Sequence, residues 1–129
     1  MSPVTQEWVV DKAEEDFHVA QREYRARKHP SYNAACFHAQ QCAEKYLKAR
    51  LQEAGIPFSK THSLPLLLNL ALGAEPLWAA MAPQLNRLNT YAVAVRYPGT
   101  SATKSDAKQA VADCRLARKE VRTSLGLPT

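Results

Sequence analysis

The chain has 129 residues, of which 46% are hydrophobic and 22% charged, a composition typical of one soluble globular domain. The longest nearly uncharged stretch, residues 63–72, is too short to cross a bilayer, which takes about 20 residues. No basic segment followed by an apolar run marks a secretory signal. We therefore expect a single domain spanning residues 1–129, located in the cytoplasm and without a membrane contact.

The net charge favours an anionic partner. Seventeen Lys and Arg residues against twelve Asp and Glu give a formal charge of +5. Such a balance suits nucleotides, RNA or an acidic protein surface, but it does not choose among them. The three cysteines, Cys36, Cys42 and Cys114, lack the Cys-x-x-Cys spacing of zinc and redox sites. Each falls on an apolar helical stripe, so we expect them to pack in the core.

Helical periodicity runs through the chain, and no segment alternates as a half-buried strand would. The first predicted helix covers about residues 3–27 and ends at the sequence Lys-His-Pro-Ser. Ser31 can cap a second helix that ends near residue 54, just before a glycine. A short leucine-rich helix follows over residues 63–73.

A fourth predicted helix begins near Pro76, and its apolar stripe extends from Trp78 to Val95. Pro83 is expected to kink this helix or to split it into a short and a longer piece. The helix ends at the sequence Arg-Tyr-Pro-Gly, residues 96–99.

The last predicted helix is preceded by a polar loop. Thr103 and Asp106 have the spacing of a capping box, and Gly126 is placed to end the helix. The short connections and the alternating spacing of three and four favour shallow crossing angles. The sequence therefore predicts an all-α fold, an antiparallel up-and-down bundle of four to five helices.

The histidines do not form a recognisable metal site. No two of them share a helix at a spacing of three or four, and no His-Glu-x-x-His motif occurs. Gly-rich phosphate loops and a Gly-x-Ser-x-Gly nucleophile motif are also absent from the sequence. We predict no metal, no cofactor and no covalent nucleophile.

The second helix offers a better candidate for ligand binding. His38, Gln41 and Lys45 are spaced three and four apart and share one face, and Lys48 follows three residues later. An ammonium group attracts phosphate, and a glutamine can bond a base or a ribose. The alternative interpretation is a solvated face that carries an ordinary Glu44–Lys48 pair.

Two arginines have unusual positions. Arg50 falls near the centre of the apolar face, where a lone charge would be costly. It can extend past the end of the core, meet a carboxylate on a neighbouring helix, or mark a surface for association. Arg96 directly follows the apolar stripe of the fourth helix, where the helix dipole favours a cation, so a structural role is sufficient for it.

Three sequence elements together resemble the HEPN family, the higher eukaryote and prokaryote nucleotide-binding domains. They are the run FHAQQCAEKYLKARL in the second helix, the Thr-His before the leucine-rich helix, and the Arg-Tyr-Pro after the fourth helix. The opening run EWVVDKAEEDFHVA is also similar, so the resemblance covers nearly the whole chain. It implies an all-α bundle, commonly a homodimer. Such proteins are often encoded beside a minimal nucleotidyltransferase, and some of these pairs act as toxin and antitoxin.

Other branches of this family are metal-independent ribonucleases that use an Arg-x4-6-His motif. No histidine follows Arg96 in this chain. Arg22 and His29 fit the spacing but precede the A-E-K-x-L-K-A element, so we interpret their spacing as coincidence. We therefore predict no catalytic residue.

By this resemblance we hypothesise a groove for an anionic ligand, in which arginine would hold phosphate and tyrosine would stack on a base. The residues proposed to line it are Arg96, Tyr97, Lys45, Lys48 and His62, with Gln41 and His38 on the adjoining helix face. Three hypotheses follow: a nucleotide-binding or partner-binding module that works with a nucleotidyltransferase, a HEPN-type ribonuclease, or a ligand-free scaffold that dimerises through an alanine-rich helical face.

Overall fold

The computed structural model describes residues 1–93 and 98–129, except for the side chain of Val10. Within these residues the chain forms five helices and no strand. Helix α1 is continuous through Pro3–Gln6, a π-helical stretch Glu7–Ala13, and Glu14–Arg25. The others are α2 (Tyr32–Glu53), α3 (Leu64–Ala71), α4 (Ala82–Leu88, between 3-10 turns Pro76–Met81 and Asn89–Tyr91) and α5 (Lys104–Ser124).

The predicted helix starts are confirmed. The side chains of Ser31 and Ser63 accept hydrogen bonds from the backbone N–H groups three residues later, at 3.1 and 3.2 Å. Thr103 and Asp106 form the predicted capping box, with reciprocal bonds of 3.1 and 2.9 Å. These side chains satisfy backbone donors that the first turn of a helix leaves unpaired. Local sequence is therefore sufficient to begin these three helices.

The fourth predicted helix is confirmed in one respect and corrected in another. Pro83 splits it: the chain forms a 3-10 turn first, and α4 then places proline in its first turn, where the missing N–H has no cost. The predicted extension beyond Tyr91 is wrong for the next two residues, which are not helical. Two side chains divert this end from the helix. Asn89 accepts the N–H of Leu64 at 2.9 Å, and the Thr90 hydroxyl donates to the Arg87 carbonyl at 2.9 Å.

Helix α2 lies at the centre of the bundle and packs against α1, α3 and α5. The core is built from its small residues and those of α5, which allow the helices to approach closely. The buried alanines are Ala35, Ala39, Ala43 and Ala49 on α2 and Ala107, Ala110 and Ala117 on α5. This packing leaves these alanines inside one chain rather than on a face open to a second copy. The three cysteines are free thiols in the same core, as predicted.

Arg50 meets a carboxylate, one of the alternatives that its position left open. Its Nε donates to Glu75 Oε1 at 3.1 Å and to Ser124 Oγ at 2.9 Å. The cation is therefore held at the end of α2 near the last residue of α5. None of the described helices is both long and apolar enough to span a membrane.

One carboxylate joins three helices. Glu14 of α1 accepts a bond of 2.7 Å from the Tyr46 hydroxyl of α2 and bonds of 2.9 and 2.7 Å from the Arg118 guanidinium of α5. Arg122 donates to the Tyr46 oxygen at 3.0 Å. Burial alone would raise the pKa of Glu14, but the bonds from Arg118 and Tyr46 and the nearby positive charges outweigh it and lower the pKa. Burial and the Glu14 carboxylate raise the pKa of Tyr46.

Candidate ligand-binding site

The predicted groove is only partly defined by the structure. Arg96 and Tyr97 lie outside the described residues. The other five candidates lie on α2 and in the segment just before α3, and each takes part in a polar contact.

The first polar cluster is centred on the Glu44 carboxylate of α2. Its Oε2 accepts a bond from Lys48 Nζ at 2.9 Å, and its Oε1 lies 3.1 Å from His62 Nδ1. Since a carboxylate only accepts, Nδ1 carries the hydrogen in this contact. The side chains of Glu44 and Lys48 are 4% and 7% exposed, whereas that of His62 is 68% exposed. Glu44 therefore neutralises a buried lysine and orients an exposed histidine.

Two glutamines extend this cluster. The Gln40 amide donates to the His62 carbonyl oxygen at 3.0 Å and approaches Glu44 Oε1 at 3.4 Å. Gln41 donates to the side-chain oxygen of Gln40 at 2.8 Å. The segment that carries His62 is thus fixed to α2 through its backbone as well as its ring.

The second cluster is centred on Asp16 of α1. His38 Nδ1 lies 2.7 Å from one carboxylate oxygen, and Lys45 Nζ bonds the other. Asp16 is 9% exposed, whereas His38 and Lys45 retain 31% and 21% exposure. The exposed parts of these two side chains are therefore the ones that solvent or a ligand can reach.

An aromatic pair borders the buried lysine. Lys48 Nζ lies 5.7 Å from the centroid of the Trp8 ring, within the range of a cation–π contact. Trp8 belongs to the π-helical stretch of α1, and its ring meets Phe58 edge to face at 6.4 Å. Lys48 is thus enclosed by a carboxylate and an aromatic face, which leaves little of its charge for a ligand.

The structure brings Lys48 and His62 together on Glu44, and Lys45 and His38 together on Asp16. Across both clusters two lysines face two carboxylates, so their formal charges cancel while the histidines are neutral. An anionic ligand would depend here on exposed hydrogen-bond donors, on protonated histidine, or on further cations.

Sequence reasoning missed two members of these clusters, Asp16 and Gln40, and it missed the burial of a third, Glu44. Asp16 lies among the buried stripe of α1, between Ala13 and Ala20, and this position inside an apolar pattern was a usable signal. Glu44 was considered only as part of a solvated pair, yet it is buried. Gln40 gave no signal, because its role depends on a segment 22 residues away.

The remaining candidates for catalysis or metal binding are not assembled into a site. Arg22 is an exposed residue on α1, and His29 is an exposed residue of the turn after it, with a backbone φ of +50°. Within residues 1–93 and 98–129, no group of three or more His, Cys, Asp or Glu side chains is arranged to hold a metal ion.

The bundle and its α2-centred polar clusters can now be compared with known proteins. The family model of the HEPN domain matches residues 6–123. The crystal structure of an archaeal HEPN homologue is similar at 25% sequence identity, with a TM-score of 0.73 over 93% of this chain and 96% of that one. A comparison with curated proteins found no match. The match covers most of the chain, and the chain belongs to the HEPN family.

Proposed function

We propose that this chain is a single-domain, non-catalytic HEPN module that binds an anionic ligand of the nucleotide class. In this proposal it works in the cytoplasm as a homodimer beside a separate minimal nucleotidyltransferase, in a pair of the toxin–antitoxin kind. The ligand would contact Arg96, Tyr97, Lys45 and His62, with Gln41 and His38 at the edge and Lys48 holding Glu44 in place.

The observation that carries the binding part is the geometry of His62. Glu44 holds its Nδ1, the backbone carbonyl is fixed by Gln40, and the ring is 68% exposed. No described residue bonds its Nε2. With Nδ1 donating to Glu44, the exposed Nε2 donates to an anionic ligand only when the ring is protonated, and a ring already held by one nitrogen then loses little side-chain entropy on binding.

The absence of catalysis is supported by the residues after Arg96. In an Arg-x4-6-His motif that began at Arg96, the histidine would be residue 101, 102 or 103. These residues are Ser101, Ala102 and Thr103. Thr103 caps α5 instead. A hydroxyl or methyl group cannot replace imidazole as an acid or base near neutral pH.

Calorimetric titration with ATP, GTP and UTP tests the binding site. We expect heat of binding with the native chain, and affinity at least about tenfold weaker for Arg96→Ala and for His62→Ala, since each removes a charged or oriented donor. His18→Ala is the matched control, because His18 is an exposed histidine of α1 outside both clusters. No heat with native protein, or equal heat with the variants, refutes the site.

Two further measurements test the rest of the proposal. Labelled RNA incubated with the protein and a chelator should stay intact; cleavage that disappears on changing Arg22, His29 or Arg96 would show a ribonuclease. Light scattering should give twice the 14.4 kDa of one chain. Co-expression with a neighbouring reading frame that carries the Gly-Ser…Asp-x-Asp pattern of a nucleotidyltransferase should yield a complex.

A further inference from the structure

A concave surface lies at the N-terminal end of α2, whereas Gln40 and Glu44, which contact His62, lie near the middle of that helix. It is formed by the end of α1, the turn between α1 and α2, and the start of α5, and has a volume of about 570 Å³. Its lining includes two aromatic and three cationic side chains: Tyr24, Tyr32, Arg25, Arg27 and Lys104. We call it the end cleft. Tyr32 precedes Lys45 by 13 residues on α2, which corresponds to about 20 Å along the helix.

The cations of the end cleft are not held by carboxylates. Six described cations elsewhere are ion-paired with carboxylates: Lys45, Lys48, Arg50, Arg87, Arg118 and Arg122. In the part of the chain that the structure describes, Arg25, Arg27 and Lys104 have no such pair, and all three are exposed. Asp106, the nearest acid along α5, is occupied by the backbone of Thr103 in the capping box. Three exposed cations therefore line this cleft without an ion pair among the described residues.

Lys104 is placed where the helix itself disfavours it. It is the first residue of α5, and the partial positive charge at a helix N-terminus repels a cation. Arg25 lies in the last turn of α1, where the dipole favours a cation, so its position has a structural reason. Lys104 has no comparable reason in the fold. An anion in the end cleft would remove this repulsion.

The tyrosines add a second chemical property. Tyr24 and Tyr32 are partly buried against the core and partly exposed in the cleft. Packing against the core restricts a ring, and its exposed part is available to contact a planar base. Fixed aromatic rings beside unpaired cations are the combination by which proteins hold a single-stranded polynucleotide.

We propose that the end cleft binds single-stranded nucleic acid, with Arg25, Arg27 and Lys104 on successive phosphates and Tyr24 or Tyr32 stacked on a base. A strand suits the site better than one nucleotide, because exposed cations continue beyond the cleft. Lys28 follows in the turn, and Lys108 is one helical turn after Lys104. This site is separate from the His62 groove and does not depend on it.

The test is fluorescence anisotropy with a labelled single strand of about 12 nucleotides, as RNA and as DNA, against a duplex of the same sequence. For three phosphate contacts, log affinity should fall against log salt with a slope of about −2. The single strands should bind more tightly than the duplex, whose bases are already stacked. Binding of RNA but not DNA would show that the site contacts the ribose hydroxyl. Binding of both RNA and DNA would show that it contacts only phosphate and base. Either result supports the end cleft as a binding site.

Two double variants distinguish binding in the end cleft from attraction to the overall positive charge of the protein. Arg27→Ala/Lys104→Ala should weaken binding at least about tenfold and flatten the salt slope by about 1.4. Lys12→Ala/Lys119→Ala removes the same charge from two exposed lysines, each about 20 Å along its helix from the cleft, and should change the affinity less than about twofold. Tyr24→Leu keeps an apolar side chain but removes the aromatic ring. Its affinity for the strand should fall roughly 5- to 150-fold, which is the effect of removing one ring that stacks on a base.

Several results would overturn the proposal. These are no binding by the native chain, equal weakening by both double variants, or a duplex bound as tightly as the single strands. Circular dichroism and thermal unfolding of each variant check that the bundle is intact. His62→Ala should bind the strand normally, so loss of nucleotide binding in the groove and loss of strand binding here are distinguishable.

Discussion

Replacing Glu14 by glutamine should destabilise the bundle more than any change of charge at its surface. Glutamine keeps the size of the side chain but leaves the cations of Arg118 and Arg122 without their carboxylate. Removing one partner of a fully buried pair costs about 3–5 kcal/mol. The Glu14 and Arg118 side chains retain 18% and 15% exposure, so solvent screens part of the loss. We expect the free energy of unfolding to fall by about 2–3 kcal/mol.

The dependence on pH identifies the carboxylate as the cause. The pKa of Glu14 is lowered in the folded state, so its stabilising contribution is present above the unfolded value of 4.5 and is lost as pH falls through the lowered pKa. Urea unfolding of Glu14→Gln should therefore show the full difference from native protein at about pH 7 and at about pH 5.5. The difference should shrink as the pH falls below 4.5 and through the lowered pKa of native Glu14, because that carboxylate then becomes protonated.

The matched control is Glu15→Gln, which removes the same charge from the next, exposed position. It should change stability by less than about 0.5 kcal/mol. At an m-value of about 1–2 kcal/mol/M, the Glu14→Gln midpoint should move down by about 1–3 M urea relative to this control. Equal midpoints for the two variants at neutral pH, or a difference that persists unchanged in acid, would refute the reasoning.

Three other changes have expected outcomes in the same unfolding assay. Thr103→Ala removes one half of the capping box and should cost about 1 kcal/mol, and its control Ser105→Ala should be nearly neutral. Glu44→Gln leaves Lys48 buried without its carboxylate and should cost about 3 kcal/mol, most of which Glu44→Gln/Lys48→Met should restore. His29→Gly should be about 1 kcal/mol more stable than His29→Ala, because only glycine adopts the observed positive φ without steric cost.

Each of these three predictions can fail in a specific way. Loss of less than about 0.3 kcal/mol in Thr103→Ala would mean that water satisfies the first turn equally well. A double variant at Glu44 and Lys48 as unstable as the single one would assign the loss to packing rather than to an unpaired charge. Equal stability of glycine and alanine at position 29 would mean that the turn relaxes to a negative φ.

Much of the fold follows from local rules. The serine and threonine caps at the starts of α2, α3 and α5 are three-residue patterns, and the glycines after α2 and α5 have the positive φ that ends a helix. The small residues of α2 and α5 recur at helical spacing, and the structure buries them as predicted. The π-helical stretch of α1 and the early end of the fourth helix were missed. At that helix end, the bond between Asn89 and the N–H of Leu64 joins segments 25 residues apart, which local rules do not predict.

The candidate site was predicted less completely. Sequence spacing placed His38, Gln41, Lys45 and Lys48 on one helix and offered the Glu44–Lys48 pair that the structure contains. It could not show that Asp16 meets His38 and Lys45, or that Glu44 meets His62, because those contacts form only when α1 and the segment before α3 fold against α2. The end cleft gave no signal at all, since the residues that line it come from positions as far apart as 24 and 104.

The sequence by itself determined the class of fold, since apolar periodicity and capping act within a few residues of one another. It also determined the net positive charge. Only the tertiary structure decided which cations are neutralised and which stay free, because an ion pair depends on distances of a few ångströms between helices. Two lysines show this difference. Lys48 is buried beside Glu44, whereas Lys104 is exposed at the start of α5. Folding produced that difference by packing one ammonium group against a carboxylate and leaving the other facing solvent.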